Sequence, residues 1–296
     1  MTKVLILGSG GMLGSMVARV LEENPDFEIT TSQRGDGDTD AVRFDVERDS
    51  VDKLVDQDAE WIVNAIGVIK PRIDESDPAS VARAVDVNSA FPCRLAEALS
   101  DGQRVIQIAT DCVYAGTTGA YEETAAHDPL DVYGKTKSLG EVPSPDFLHL
   151  RCSIIGPERG ESRSLLGWLL SQPQGSTVPG FTNHRWNGVT TYHFAKLCEA
   201  VIGGGVGTLP PALHVVPGDV VSKAELLELI AGAFGREDIQ VDPGAAEVAV
   251  DRTLATAHPQ DNECLWSAAG YDEPPTIATM VGELGSKAPA QPVAGA

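Results

Sequence analysis

The chain has few aromatic residues, few cysteines and a shortage of positive charge. Of its 296 residues, 5% are aromatic and five are cysteines, which are scattered and never form a Cys-x-x-Cys pair. Neither a disulfide framework nor a zinc site is indicated, and the six histidines show no metal-ligand spacing, so we expect no metal. Lysine and arginine total 22 against 43 acidic residues, a formal charge of −21. That charge argues against nucleic acid and anionic lipid as partners. The acidity fits either a salt-rich cytoplasm or ordinary variation in surface composition.

No apolar run approaches the roughly 20 residues that a membrane span needs. The chain enters a strand at residues 3–8 without the basic start and apolar stretch of a signal peptide, so we expect a cytoplasmic protein. With 42% hydrophobic residues, its length allows one large domain or a domain with a smaller lobe. A homodimer is compatible with the sequence.

Strand-like and helix-like patterns alternate through the first half of the chain. This alternation predicts an α/β fold with a doubly wound parallel sheet of the Rossmann type. The strands are expected near 3–8, 27–31, 41–45, 60–66, 104–109 and 147–152, and the helices over Met12–Glu23, Ser80–Leu99 and Tyr133–Glu141.

After Arg151 the pattern becomes irregular, which indicates a smaller lobe. Helices are expected near Ser164–Leu170, Thr191–Ile202 and Lys223–Phe234. We therefore divide the chain into three parts: a dinucleotide-binding domain over 1–152, on which the helix near 190–203 packs, a mostly substrate-binding lobe over 153–285, and a flexible tail over 286–296.

A glycine-rich turn follows the first strand and opens the first helix. Its residues are Gly8, Ser9, Gly10, Gly11, Met12, Leu13 and Gly14. Gly8, Gly10 and Gly11 permit close approach of the backbone to a pyrophosphate, and Gly14 permits tight packing of helix on strand. The helix N-terminus favours the charge of the pyrophosphate, so this turn predicts a dinucleotide site.

The choice between NADP and NAD depends on the end of the second strand. A simple NAD site has a carboxylate there, whereas this chain reads Thr30-Thr31-Ser32-Gln33-Arg34. Arg34 could hold the 2′-phosphate of NADP, although Asp36 is close and a surface arginine is the alternative. NADP(H) is preferred and NAD(H) stays possible. Asp45 and Val46 are expected at the adenine, and the small residues Ala65, Ile66 and Gly67 at the ribose and nicotinamide.

Tyr133 and Lys137 are four residues apart on a predicted helix, which places them on one face. A phenol with a pKa near 10 is a poor acid-base catalyst at neutral pH, and a neighbouring ammonium group lowers that pKa. Thr110 ends a predicted strand just before this helix, at the sheet edge where α/β proteins bind ligands. The three side chains predict an enzyme.

Together these residues resemble the extended short-chain dehydrogenase/reductase family. The resemblance covers the chain to about residue 285, and the stretches Thr110–Tyr114 and Tyr133–Glu141 are most similar to dTDP-4-dehydrorhamnose reductases and related nucleotide-sugar reductases. It implies NADP-dependent reduction of the keto group of a nucleotide-linked 4-keto-6-deoxy sugar, for deoxysugar or surface polysaccharide synthesis. Tyr133 is then the general acid, Lys137 lowers its pKa and binds the nicotinamide ribose, and Thr110 hydrogen-bonds the substrate oxygen.

The resemblance also implies substrate contacts by Val68 and Asp111. Arg252 lies where relatives often present an arginine to the nucleotide diphosphate, and a solvated ion pair is the alternative for it. Relatives have a tryptophan in a Leu-Arg-Thr-Ser-Trp run, whereas this chain has Leu150-Arg151-Cys152-Ser153-Ile154. Trp186 is expected either to replace that aromatic surface or to be a buried structural residue.

Two alternatives to the reductase stay open. A nucleotide-sugar epimerase or dehydratase would keep its cofactor bound and return the hydride, although Cys112 replaces the Glu of a dehydratase Thr-Asp-Glu sequence. A non-catalytic, NADP-binding regulatory subunit is the other, and the intact Thr110, Tyr133 and Lys137 argue against it.

Overall fold

The computed structural model describes residues 1–35, 40–158 and 164–287. Its main feature is a seven-stranded sheet in which every neighbouring pair of strands is parallel. In spatial order the strands are β3 (Val42–Arg43), β2 (Phe27–Gln33), β1 (Thr2–Leu7), β4 (Trp61–Asn64), β5 (Arg104–Ala109), β6 (Phe147–Arg151) and β11 (Ala212–His214). The strand order runs in opposite directions from β1 and β4, which makes the gap between them the topological switch point. The predicted Rossmann-like fold is confirmed.

The helices of the described chain alternate with these strands, and the last four of them lie after residue 190. They are α1 (Met12–Glu22), α2 (Asp52–Val55), α3 (Pro78–Val85), α4 (Phe91–Ala98), α5 (Val132–Leu139), α6 (Leu165–Leu170), α7 (Thr191–Ile202), α8 (Lys223–Ala233), α9 (Pro259–Ala268) and α10 (Ile277–Lys287). Three-residue 3-10 turns lie at Lys70–Arg72 and Asp111–Val113, and one π-helical turn at Asp86–Ala90.

Seven short strands build three small sheets outside the main one. They are β7 (Ile154–Ile155), β8 (Thr177–Phe181), β9 (His184–Trp186), β10 (Val189–Thr190), β12 (Val221–Ser222), β13 (Gln240–Gly244) and β14 (Val250–Asp251). Strand β7 pairs with β10, β8 pairs with β13, and β9 lies between β12 and β14.

Alternation along the central strands buries both faces of the sheet. Val4 and Ile6 face one core, which α1 and α7 cover, while Leu5 and Leu7 face a second core, which α4 covers through Phe91. Side chains on successive strand residues point to opposite faces, so a strand buried on both sides reads as a continuous apolar run. The first core continues into α8, α9 and α10 without a break.

The predicted helix Ser80–Leu99 begins earlier, at Pro78, and is interrupted by the π-helical turn. Proline has no N–H, and its ring clashes with the carbonyl four residues earlier. Pro92 would meet the carbonyl of Asn88 in a regular α-helix, and the wider turn relieves this: the Phe91 N–H bonds the Asp86 carbonyl, five residues back. The turn thereby fixes the position of Asn88, a residue of the candidate active site.

The main sheet also includes residues that follow residue 152, the predicted end of the dinucleotide-binding domain. Strand β11 forms its edge and α7 packs against α1, as the sequence leads us to expect for the helix near 190–203. The division into 1–152 and 153–285 stays a prediction. The expected tail begins too early, because α10 runs to Lys287; the rest of that tail, 288–296, lies outside the described residues.

Candidate active site

The glycine turn lies at the switch point of the sheet. Gly8 has φ +79°, a left-handed conformation that favours glycine, and the Gly11 N–H bonds its carbonyl at 2.9 Å. A Cβ on Gly14 would collide with the backbone of Gly8 and Ser9, whereas a Cβ on Gly10 would meet nothing nearer than 3.8 Å. The protein itself therefore requires glycine at 8 and 14. The open position at Gly10 leaves backbone accessible above the N-terminus of α1, which fits a bound pyrophosphate.

Ser9, Met12 and Leu13 complete this turn as the sequence predicts. The Ser9 N–H and hydroxyl both bond the carbonyl of Ser32, at 2.9 and 3.1 Å, which ties the turn to the end of β2. Met12 and Leu13 are the first residues of α1, and Leu13 is buried in the core. The turn is thus held between the end of β2 and the start of α1.

The residues after β4 lie directly across from Gly8. A Cβ on Gly8 would lie 3.1 Å from the Ile66 side chain and 3.4 Å from the Ala65 backbone. The following stretch, Gly67 and Val68, is held by the Asn88 side chain, which accepts from the Val68 N–H at 2.8 Å and donates to the Val68 carbonyl at 2.9 Å. Sequence reasoning missed Asn88, since a buried asparagine inside a predicted helix carries no spacing signal.

Arg34, Asp45 and Val46 lie at the far side of the same edge. Arg34 is exposed and directly follows β2, and Asp36 is outside the described residues. One Asp45 carboxylate oxygen accepts from the Glu47 N–H at 3.0 Å, and Arg94 donates to the Val46 carbonyl at 3.4 Å. All three occupy carboxyl ends of strands, as predicted for adenosine contacts. Their roles stay predictions.

The structure brings Thr110 and Tyr133 together. Thr110 ends β5 and caps the following 3-10 turn by accepting from the Cys112 N–H at 3.2 Å. The N-terminus of α5, capped by Asp131, packs so close to this turn that a Cβ on Gly134 would collide with the Cys112 carbonyl. Glycine at 134 thus lets the helix place Tyr133 beside the Thr110 hydroxyl, with which it interacts.

The pKa of Tyr133 shifts in the direction opposite to our expectation. Burial raises the pKa of the phenol, the neighbouring Cys112 and Asp111 raise it further, and the Thr110 hydroxyl lowers it only in part. A raised pKa keeps the phenol protonated at neutral pH and makes it a weaker acid, so proton donation depends on the negative charge that grows on the substrate oxygen.

Lys137 is 7% exposed and donates to the Ile108 carbonyl at 2.7 Å. Burial lowers the pKa of its ammonium to about 8, and the carboxylate of Glu141 opposes that shift. Glu141 in turn forms a buried bidentate pair with Arg151, with bonds of 2.8 and 2.6 Å. The C-terminal end of the helix that carries Tyr133 and Lys137 is therefore anchored to β6.

We expect the pH dependence of the enzyme to report Lys137. Because its pKa is lowered to about 8, the ammonium loses its charge above that pH, and kcat/KM for NADPH should fall there. Glu141→Gln removes a charge that raises this pKa, so the decline should begin at a lower pH. Thermal unfolding of the variant at each pH separates this shift from loss of fold, and an unmoved basic limb in a folded variant would refute the assignment.

Asp111 and Arg252 face each other across the site. Burial raises the pKa of the Asp111 carboxyl, and the charge of Arg252 opposes that rise. Arg252 follows β14 and is fixed by bonds from Nε to the Tyr114 carbonyl at 2.9 Å and from Nη2 to the Ala115 carbonyl at 3.2 Å. The predicted substrate contacts Asp111 and Arg252 are thus brought together beside Thr110.

Of the two roles expected for Trp186, a buried structural residue fits better than an aromatic surface for the sugar. The side chain is 8% exposed, belongs to the main core, and donates from Nε1 to the Ser153 hydroxyl at 2.8 Å. Burial on this scale leaves little of the ring for a sugar. Val68 is also buried and lies in the loop after β4.

No described helix is long and apolar enough to cross a membrane. Within residues 1–35, 40–158 and 164–287 there is no group of three or more His, Cys, Asp or Glu side chains that could hold a metal ion. The predicted homodimer stays a prediction.

This fold and side-chain set define a dinucleotide-binding protein of the short-chain dehydrogenase/reductase type. A family model described as the RmlD substrate binding domain matches residues 1–155, and the chain belongs to that family. This confirms the resemblance drawn from the sequence.

Known reductases are similar to this chain over most of its length. It is 28% identical to the probable low-salt glycan biosynthesis reductase Agl14 of Haloferax volcanii, over 96% of this chain and 93% of that protein. It is 30% identical to a dTDP-4-dehydrorhamnose reductase of Aggregatibacter actinomycetemcomitans, over 61% of this chain and 64% of the relative. The structure of dTDP-4-dehydrorhamnose reductase from Bacillus anthracis in complex with NADP superposes with a TM-score of 0.74 at 18% identity, covering 96% and 98% of the two chains.

Proposed function

We propose that this protein is an NADP-dependent reductase of the keto group of a nucleotide-linked 4-keto-6-deoxy sugar. The observation that carries the proposal is the grouping of Thr110, Tyr133 and Lys137 at the same sheet edge as the glycine turn. The relatives named as a glycan biosynthesis reductase and a dTDP-4-dehydrorhamnose reductase support the substrate class.

Thr110, Tyr133 and Lys137 each have a separate role in carbonyl reduction. Bound NADPH would supply a hydride to the carbonyl carbon. As that bond forms, negative charge grows on the carbonyl oxygen, where the Thr110 hydroxyl donates a hydrogen bond and Tyr133 donates its proton. The product is the secondary alcohol. Lys137, charged below about pH 8, would bind the nicotinamide ribose and stabilise the phenolate that remains.

NADP is the preferred cofactor on two grounds. Arg34 lies exposed at the end of β2, where the sequence Thr30–Gln33 offers no carboxylate to bind a ribose diol. A solved relative of the same fold carries NADP. Solved neighbours of this fold also include NAD complexes, so NAD(H) is the second choice.

The test is oxidation of NADPH and of NADH with dTDP-4-dehydrorhamnose generated in situ. We expect net NADPH consumption that equals product formed, and slower consumption of NADH. An epimerase or dehydratase would convert the sugar without net consumption, and a regulatory subunit would bind NADPH without converting it. Either result would refute the reductase.

A further inference from the structure

Two buried side-chain amides are hydrogen-bonded to each other where the pairing of β4 with β5 ends. Asn64 and Gln107 form the last residue pair of the two strands, and their side chains are 0% and 2% exposed. The Asn64 Nδ2 donates to the Gln107 Oε1 at 2.7 Å. A buried amide needs partners for its donors and its acceptor, so the contacts of these two groups decide where they lie.

Backbone groups at the two outer ends fix the direction of this chain of hydrogen bonds. The Asn64 Oδ1 accepts from the Ile66 N–H at 3.1 Å, and the Gln107 Nε2 donates to the Ile108 carbonyl at 3.2 Å. A backbone N–H can only donate and a carbonyl can only accept, so both side-chain amides fit in one orientation. Hydrogen bonds that are aligned in this way polarise and strengthen one another.

The chain of hydrogen bonds connects two parts of the candidate active site. At one end, Ile66 belongs to the loop after β4 that lies across from Gly8 of the glycine turn. At the other end, the Ile108 carbonyl also accepts from the Lys137 Nζ at 2.7 Å. The Gln107 amide and the Lys137 ammonium share this acceptor oxygen, so they lie beside each other. The two amides thus join the loop at the cofactor turn to the anchor of the lysine.

We infer that Gln107 is a positioning residue of this enzyme: through Asn64, it keeps the carbonyl that anchors Lys137 in register with the loop at the cofactor turn. The inference rests on the proposed function, in which Lys137 binds the nicotinamide ribose. A displacement of about 1 Å at a catalytic group can cost about a hundredfold in rate, so a fixed anchor for the ammonium has a large effect.

The first test is the NADPH affinity of Gln107→Met, measured by fluorescence titration. Methionine keeps the length of the side chain and removes the amide, so we expect the affinity to fall by about tenfold as the anchor of Lys137 loosens. Gln103→Met is the matched control. Gln103 directly precedes β5, is 6% exposed and donates to the Val55 and Ala59 carbonyls.

Both variants lose buried hydrogen bonds, so both should melt at a lower temperature than the wild type. Only Gln107→Met should bind NADPH more weakly. Wild-type NADPH affinity in folded Gln107→Met would overturn the inference, as would an equal loss of affinity in Gln103→Met.

Gln107→Glu supplies a readout that a loss of packing does not produce. Its carboxylate still accepts from Asn64 but lies beside the Lys137 ammonium, and a neighbouring negative charge raises the pKa of an ammonium. The titratable groups that already act on this ammonium or respond to its charge follow α5 or lie on or just after β6: Glu141, His149 and Cys152. Burial lowers the pKa of Lys137 to about 8, so NADPH affinity should decline above that pH in the wild type. The decline should move to higher pH in Gln107→Glu, and an unmoved decline in the folded variant would contradict the proposed position of Gln107.

A double variant tests whether the two amides act as one unit. Asn64→Leu combined with Gln107→Met should bind NADPH no more weakly than the weaker of the two single variants, because either substitution already breaks the chain. Losses that multiply would show that the two residues act independently and would overturn the inference. All these measurements use NADPH binding alone. A wild type that binds NADPH without reducing the sugar would therefore refute the reductase and leave the comparison of variants intact.

Discussion

Tyr133→Phe should lower kcat by about 10²- to 10⁴-fold, the usual contribution of a positioned general acid. The substitution removes one oxygen from a buried side chain and leaves its packing in place. Burial raises the pKa of the Tyr133 phenol, so the wild-type group carries its proton at neutral pH. Phenylalanine can neither donate that proton nor stabilise the growing charge on oxygen.

Binding of NADPH should be close to wild type in the same variant, measured by fluorescence titration. Tyr192→Phe is the matched control, because Tyr192 lies on α7, where it contacts Lys287 rather than Thr110. Unchanged turnover in Tyr133→Phe would exclude this residue as the acid. Loss of activity with equal loss of NADPH affinity would instead give Tyr133 a cofactor-holding role.

Gly14→Ala should weaken NADPH binding by about tenfold or more. Its new methyl group would collide with the backbone of Gly8 and Ser9, and neither can move as a flexible side chain would. Overpacking of this kind costs about 1–3 kcal/mol, and about 1.4 kcal/mol corresponds to a factor of ten in affinity. The helix N-terminus and the turn would separate, and the turn is the predicted cradle of the pyrophosphate.

Gly10→Ala separates an effect on the stability of the protein from an effect on cofactor binding. A Cβ at Gly10 meets no protein atom nearer than 3.8 Å, so the melting temperature should be unchanged. Any loss of NADPH affinity in this variant therefore reports contact with the cofactor. Tight NADPH binding by Gly14→Ala, at wild-type melting temperature, would contradict the assignment of the turn.

The fold was predictable from sequence because its signals are local. Continuous apolar runs predicted the buried strands, the glycine turn predicted the start of α1, and the spacing of apolar residues predicted α5 to within one residue of its start. The expected strand over 41–45 is only two residues long, Val42–Arg43, and the break in the helix at Asp86–Ala90 came from Pro92, a residue whose effect depends on the carbonyl of Asn88.

The site was predictable where its residues belong to one helix or turn, and less so where distant segments meet. Tyr133 and Lys137 share a helix face, so their spacing was informative. The positions of Asn88 and Glu141 depend on packing between elements far apart in the chain, and no local pattern marks them. The predicted shift of the Tyr133 pKa was wrong in direction, since burial of the phenol raises that pKa and burial cannot be read from spacing along one helix.

A helix cap is a local signal of the same kind. From the sequence alone, Ser222–Glu225 predicts the start of a helix, and the structure confirms that capping box.

The most direct test of the account is to follow deuterium from C4 of NADPH into the sugar. The protein is incubated with dTDP-4-dehydrorhamnose and NADPH deuterated on either face of C4, and the product is examined by NMR and mass spectrometry. We predict one deuterium at the reduced carbon for one of the two labelled faces, with one NADP⁺ formed per product and none with Tyr133→Phe. A converted sugar without deuterium, with NADPH recovered intact, would contradict the reductase.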